Sequence, residues 1–589
     1  MVRQTLIHAR SAVRVIVVLV ILLGANAPAL GGQVDHPGAT PSPGGPASTM
    51  PATAGEATAP QAIGETSRVQ MVLLPWSDPS IRILPPEQFL NMRAAALPGA
   101  SFQITFIADG QPDPLNPART CSSWSDSAKA AFNYAASIWA SVIYSPVPIR
   151  IRACWTNMGS TSILGMSASN LLGLTSGGVS TLYNYALGDK LAGYDIDSAS
   201  SDSDISYNSN FSWYFGMDGN PASSQVDFVS VVLHEMGHSL NFTGSMSYGA
   251  MQCRGDKYGC WGYGSGYPDT YDRFVENGNG EHLIDTTKFP NYSAALGLQL
   301  TGGNLFFAGH NASLANGNTG VKIYAPSTWV EGSSYSHLDY STFRSTANRL
   351  MVYAIPSGSS IHDPGAVTMG MLKDLGWAPT VKINDVSVTE GNSGTVNANF
   401  AVSLSHAAPW PISINWATAA GTATAGVDYV SASGTATIAA GATSQTITVQ
   451  VIGDTAFEPD ETLYVNLTDA AGAYAFADNQ GAGTIRNDDS QLAPTVSASL
   501  NGSTLSLTWS FVSASITYQV YRSTEPYFVL DTTQPLPADN YCAGSAGCKY
   551  QASVTPTDPN YFYVVRGTSS NQSGDSGRLG SFKYNLVAP

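Results

Sequence analysis

Between Gln225 and Leu240 the apolar residues Val226, Phe228, Val229, Val231, Val232, Leu233, Met236 and Leu240 recur at helical spacing, which predicts a helix half buried in a core. Upstream, Phe102, Ile104 and Phe106 alternate with other residues as a strand does. Asp126 then opens a stretch with Ala131, Ala135, Ile138 and Val142 at helical spacing, and Val147, Ile149 and Ile151 alternate again. Asp204-Ile205-Ser206-Tyr207-Asn208 reads as an exposed edge strand beside the 225–240 helix, on which an extended peptide would align by backbone pairing; an ordinary surface strand fits equally well. After Pro379 the period shortens to two. Val396, Phe400, Val402, Leu404, then Ile412, Ile414, Trp416, then Ile447, Val449, Val451, then Leu463, Val465, Leu467 are short alternating runs separated by Gly-rich turns, the pattern of a β-sandwich. A second set begins near Ala493 with Leu505, Leu507, Trp509, Tyr518, Val520, Tyr563 and Val565. These patterns give an α+β unit over 68–380 followed by two all-β sandwich modules at 381–490 and 491–589.

Composition refines this outline. Arg3, Arg10 and Arg14 precede the apolar run Val15 to Leu23 and small residues through Ala29, which reads as a secretory signal peptide over 1–29, too short for a membrane span of about 20 residues. Residues 30–67 are rich in Pro, Ala, Gly and Thr and cannot bury enough apolar surface to order themselves, so they are a linker or a pro-segment. The formal charge of −16 becomes about −19 once the leader's three arginines are removed, which argues against nucleic acid and anionic membranes as partners. Six cysteines fall into three local pairs, Cys121 with Cys154, Cys253 with Cys260 and Cys542 with Cys548, as expected of an exported, secreted chain.

The chemistry sits on the predicted helix. His234-Glu235-Met236-Gly237-His238 puts two imidazoles four residues apart, so both can converge on one Zn²⁺ while Glu235 faces the same cleft as general base. Two core or surface histidines on a helix are the bland alternative. A hydrolytic zinc site takes three protein ligands, so a third is needed. The compact extension HExxHxxGxxH requires a glycine at 241 and a histidine at 244, where this chain has Asn241 and Gly244. His337 in Ser336-His337-Leu338-Asp339 is the preferred third ligand. Glu276, Asp269 and Asp272 are carboxylate rivals, and His282, His310 and His362 read as loop histidines.

A histidine far beyond HExxH and shortly before Arg349-Leu350-Met351-Val352-Tyr353 resembles leishmanolysin-type metzincins, in which an insertion separates the second and third zinc histidines. The resemblance implies His234, His238 and His337 as zinc ligands, Glu235 as base and Met351 as the methionine turn beneath the metal. It extends to Asp374-Leu375-Gly376-Trp377 at the end of the domain, typical of secreted bacterial relatives. Tyr353 stands where related types place a tyrosine that touches the metal, although a core aromatic is the simpler reading.

In the first tail, Val388-Thr389-Glu390-Gly391, Gly426-Val427-Asp428-Tyr429, Gly453-Asp454, Glu458-Pro459-Asp460-Glu461 and Asn487-Asp488-Asp489 look like a Calx-beta module. That resemblance implies Ca²⁺ bound through Glu390, Asp428, Asp454, Asp460, Asp488 and Asp489; a solvated acidic rim is the alternative. The last module resembles a fibronectin type III domain. The expectation from the whole chain is a secreted zinc metalloendopeptidase acting on protein or peptide substrates, with tails suited to an extracellular matrix or cell-surface ligand. A catalytically silent adhesin and a zinc amidase are the competing readings.

Overall fold

The computed structural model describes residues 71–76, 79–86, 89–90, 99–176, 179–454, 456, 458–489, 496–501, 503–509, 517–524, 536, 548–553, 562–568 and 573–575. The expected leader, the 30–67 stretch and Cys542 lie outside the described residues. The first unit is built on a sheet of strands β1 (Met71–Trp76), β2 (Phe102–Phe106), β3 (Ile149–Thr156), β4 (Gly165–Ser169), β5 (Ser203–Asn208) and β6 (Ala354–Pro356), in the order β6-β1-β4-β5-β3-β2. β2, β3 and β5 are parallel, whereas β4 runs antiparallel to both β5 and β1.

Two helices pack on this sheet. Helix α1 (Asp126–Val142) starts at Ser125, whose hydroxyl accepts from Ala128 N–H at 3.1 Å, and buries the alanine stripe with Phe132, Ile138 and Trp139. Helix α2 (Phe228–Ser239) starts at Asp227, which accepts from Ser230 N–H at 2.9 Å. Every residue of α2 is buried, so the helix expected to be half buried is enclosed on all sides. Phe228 is ringed by Trp124, Trp155, Tyr207, Trp213 and Phe215 at centroid distances of 5.0–6.2 Å. Truncating it to Ala would cost roughly 3–5 kcal/mol, so the helix is pinned at its first residue. Trp139 of α1 donates its indole N–H to Leu233 O at 3.0 Å, fixing α2 at the residue just before His234.

The expected exposed edge strand at 204–208 is corrected by the sheet order. β5 is central, pairs with β3 and β4 through its length, and is buried at all six positions. Its polar side chains are matched inside the fold: Asp204 with Arg152 at 2.6 and 2.8 Å, Ser206 with Asp113 at 2.7 Å, and Asn208 with the Ser160 and Ile163 carbonyls at 2.7 and 2.8 Å. Two of the expected disulfides, Cys121–Cys154 and Cys253–Cys260, are formed.

The first core ends at Trp377 and the second begins at Ala378. The second unit is a sandwich of strands β7 (Thr380–Ile383), β8 (Val386–Thr389), β9 (Gly394–Leu404), β10 (Ile412–Ala420), β11 (Ser433–Ile438), β12 (Ser444–Gly453), β13 (Glu461–Ala471), β14 (Ala475–Phe476) and β15 (Gln480–Arg486). One sheet runs β12-β9-β7-β14 and the other β8-β15-β13-β10-β11. The inward residues Phe400, Val402, Ile412, Ile414, Val449, Val451, Leu463 and Val465 are the alternating ones of the sequence.

The junction between the two units is polar and buried. Asn311 accepts from Gly472 N–H at 2.7 Å and donates to Ala473 O and to Asp374, each at 2.8 Å. Lys190 donates to the Gly376 and Ala378 carbonyls at 2.6 and 3.2 Å, and the rings of Tyr144 and His406 stack at 4.2 Å. In the last module the described strands form two three-stranded antiparallel sheets around Leu505, Leu507, Val520, Tyr563 and Val565. Among the described residues no helix is long and apolar enough to cross a membrane.

Candidate metal centre

Helix α2 presents His234 and His238 on one face, and the chain returns more than ninety residues later to bring His337 against them. The three Nε2 atoms are mutually 3.2 Å apart. Each Nδ1 faces a backbone carbonyl: His234 to Leu350 O at 2.7 Å, His238 to Phe242 O at 2.7 Å and His337 to Ser333 O at 2.8 Å. A carbonyl only accepts, so each Nδ1 carries the proton and each Nε2 presents a lone pair. Burial holds His234 down to about 4 and, together with the neighbouring imidazoles, His238 and His337 well below the usual range, so all three are neutral.

Three lone pairs facing one another cannot hydrogen-bond among themselves. A shared cation satisfies them. An equilateral triangle of 3.2 Å sides has its corners about 1.85 Å from the centre, so a point roughly 0.9 Å off the plane lies about 2.05 Å from all three nitrogens, the usual zinc distance. The donor set therefore fits Zn²⁺, with the Nδ1 contacts fixing ring orientation as carbonyl partners of metal-binding histidines do.

Glu235 is wholly buried beside this triangle, and neither carboxylate oxygen meets full hydrogen-bond geometry with a partner among the described residues. Burial, only partly offset by the Ser167 hydroxyl, pushes it well above the usual carboxylate range. Gly165 of β4 makes the room: a Cβ there would stand 2.9 Å from Glu235 Oε1. Beneath the histidines lies Met351, whose Sδ would be 2.6 Å from a Cβ at Gly237. Gly237, between the two motif histidines, is thus required by the close approach of Met351, a constraint visible only once both segments are together.

Asn241 adopts φ +71° and so takes the left-handed conformation that a glycine would supply at the end of α2. Its carboxamide accepts from Asn184 N–H at 2.7 Å and donates to Asp269 at 3.0 Å. Trp377 of the closing Asp-Leu-Gly-Trp motif donates its indole N–H to Leu240 O at 2.8 Å, satisfying a terminal carbonyl of the same helix.

The rival ligands are engaged elsewhere. Glu276 pairs with His282 at 3.2 Å on a partly exposed hairpin. Asp272 accepts from the Ser245 N–H and hydroxyl and from Tyr335 at 3.0 Å, and Asp269 accepts from Tyr271 N–H at 2.9 Å, so both organise the loop after α2. His310 faces Asp469 of the sandwich at 3.0 Å, and His362 is buried against the helix cap Asp227 at 2.9 Å. Tyr353 packs on Tyr324 and Tyr340 at 4.3 and 5.2 Å, as a core aromatic.

At one end of the sandwich, carboxylate oxygens of Asp428, Glu458 and Glu461 lie within 4.8 Å of one another. Burial and the charges of Asp454, Asp489, Glu458 and Asp488 raise Glu390 to about 7; burial and Asp428 do the same to Glu461. Glu390, Asp428, Asp454, Asp488 and Asp489 therefore share one acidic surface with Glu458 and Glu461. Asp460 accepts from Asn487 N–H at 3.3 Å, and its neighbours Glu458 and Glu461 are the ones grouped with Asp428.

Residues 379–489 match the family model of the Calx-beta domain. This segment is a Calx-beta domain. Upstream of it, residues 116–253, through α2, match a family model described as SPBPB7E8-like. No curated protein matches the chain. Among solved structures it is similar to the apo form of the Calx CBD1 domain, at 24% identity over 19% of this chain and 99% of that one, with a TM-score of 0.17. It is also similar to the calcium-binding domain CBD12 of CALX1.1 (14% identity, 34% and 97% of the two chains, TM-score 0.21) and to the E. coli chaperone DraB (9%, 35% and 97%, TM-score 0.14).

Proposed function

We propose that residues 68–380 form a leishmanolysin-like zinc metalloendopeptidase, exported from the cell, that cuts peptide bonds with Glu235 as general base. The observation that carries this reading is the triangle of three neutral imidazoles, each with its Nδ1 proton committed to a carbonyl and its Nε2 lone pair directed at one point. Zinc bound there would act as a Lewis acid, making water acidic near neutral pH and polarising a carbonyl oxygen. Glu235, buried and without a fixed partner, accepts the proton of the attacking water and returns it to the leaving amine. The raised affinity of this carboxylate for a proton suits both halves of that task. No residue needs to be acylated, and the cysteines at 121, 154, 253 and 260 are committed to disulfides.

The Calx-beta domain would take Ca²⁺ at Asp428, Glu458 and Glu461, where hard oxygen ligands crowd together. The terminal module, proposed to be fibronectin type III-like, would present a further surface to a matrix or cell-surface ligand. Elemental analysis of the purified chain is expected to give one zinc per molecule. The Glu235→Gln protein should keep that zinc while losing roughly 10²–10⁴-fold in kcat on a fluorogenic peptide; unchanged cleavage would remove Glu235 from the mechanism.

A further inference from the structure

Strand β1 lies between two segments that flank the metal centre. Its first half pairs antiparallel with β4, Met71 with Ser167, Val72 with Met166 and Leu73 with Gly165. Its second half pairs parallel with β6, Leu74 with Ala354, Pro75 with Ile355 and Trp76 with Pro356. The change of partner falls at Leu73 and Leu74: Leu73 O accepts from Leu164 N–H at 2.9 Å, and Leu74 N–H donates to Tyr353 O at 2.9 Å. One wall carries Gly165, which abuts Glu235; the other follows directly from Met351 beneath the histidines. β1 therefore bridges the two sides of the metal centre, and His234, Glu235, His238 and His337 are all buried, none more than 3% exposed.

We infer that β1 is a tethered occupant of a peptide-binding slot between Gly165–Ser167 and Tyr353–Pro356, so that the chain is held closed by its own residues 71–76. This rests on the peptidase reading for what the slot admits, but the slot itself stands on backbone pairing. Each wall offers a row of N–H and C=O groups to an extended chain, and an apolar side chain is received at the place of Leu73, 1% exposed, while Leu74 and Pro75 are only partly buried. The occupant begins directly after the low-complexity stretch and is held by three register pairs on each wall. A tethered segment excludes a free peptide in proportion to the fraction of molecules in which it is seated. The ligand class is an extended, uncharged segment resembling Met-Val-Leu-Leu-Pro.

The test uses the full chain and two variants. Leu74→Pro deletes the N–H given to Tyr353 without touching the buried Leu73, and Leu73→Asp puts a charge in the buried place. A fluorescein-labelled peptide with the sequence of residues 69–78 is titrated by anisotropy, each protein carrying Glu235→Gln so that the probe survives. Zinc content and thermal unfolding are measured alongside. Both variants should bind the probe at least about tenfold more tightly than the parent, the factor expected for loss of one backbone hydrogen bond by the occupant in Leu74→Pro and a lower bound for the buried charge of Leu73→Asp. With Glu235 restored, they should cleave a fluorogenic peptide faster by a similar factor. Equal probe binding with zinc retained overturns the inference, as does joint loss of zinc and of the unfolding transition in both variants, which would make β1 an integral core strand. Improved probe binding without cleavage by any form would leave the slot standing and sink the peptidase reading instead.

Discussion

Asn241 offers a test in which backbone and side-chain effects separate. Its φ of +71° is open to glycine and tolerable for asparagine, while its side chain holds Asn184 N–H and Asp269. Asn241→Gly keeps the backbone relaxed but strands the buried Asn184 N–H, at about 1–3 kcal/mol, and takes one donor from Asp269, at about 1–2 kcal/mol. The sum, roughly 2–5 kcal/mol, should lower the melting temperature of the first unit by on the order of 10 °C. Asn241→Ala suffers the same losses and adds the strain of a β-carbon in the left-handed region, so it should lie about 1 kcal/mol below Asn241→Gly. Scanning calorimetry of the full chain in chelator is the assay, with the transitions of the two sandwiches as internal references. His238 takes its orientation from Phe242 O at 2.7 Å, one residue beyond Asn241, so zinc affinity should fall in the same order. If the alanine variant proves as stable as the glycine variant, or if glycine costs nothing, the account of this turn is wrong.

Two further outcomes follow from the site geometry. His337→Ala should lose zinc on dialysis while Glu276→Ala retains it, because only His337 directs a lone pair at the other two imidazoles; atomic absorption on the two proteins decides this. In calcium-free buffer the Calx-beta transition should weaken as pH rises, since Glu390 and Glu461 hold protons in the folded state up to about 7 that the unfolded chain releases near 4.5. The stabilisation is thus complete below pH 4.5 and gone above about 7, and added calcium should restore it at pH 8 far more than at pH 5; a calorimetric pH series with and without the ion reads both limbs.

Much of the site could be read from the chain because its parts are local. HExxH needs only one helical turn to bring its groups together, and the alternating runs after Pro379 became the buried faces of β9, β10, β12 and β13. What failed was decided by distant partners. Asp204, Ser206 and Asn208 look like solvent-facing residues, and only Arg152, Asp113 and the 160–163 loop make them interior ones. That Glu458 and Glu461 crowd against Asp428 depends on how the 458–461 turn folds back on the 428 loop, which no local pattern shows. β1 gives no alternating signal and contains Pro75, so its role appears only when β4 and β6 stand on either side of it.

The buried junction at Asn311 also bears on what the tail can do. A carboxamide shared between Asp374 and the 472–473 turn, reinforced by Lys190 across the same seam, leaves the sandwich no freedom to swing like a weight on a string. If the first unit is the proposed peptidase, whatever docks on the acidic tip would be presented to it at a set reach and heading. Such a bracket would select targets by the distance between their anchoring point and their vulnerable loop, a form of choosiness that owes nothing to the residues beside the scissile bond.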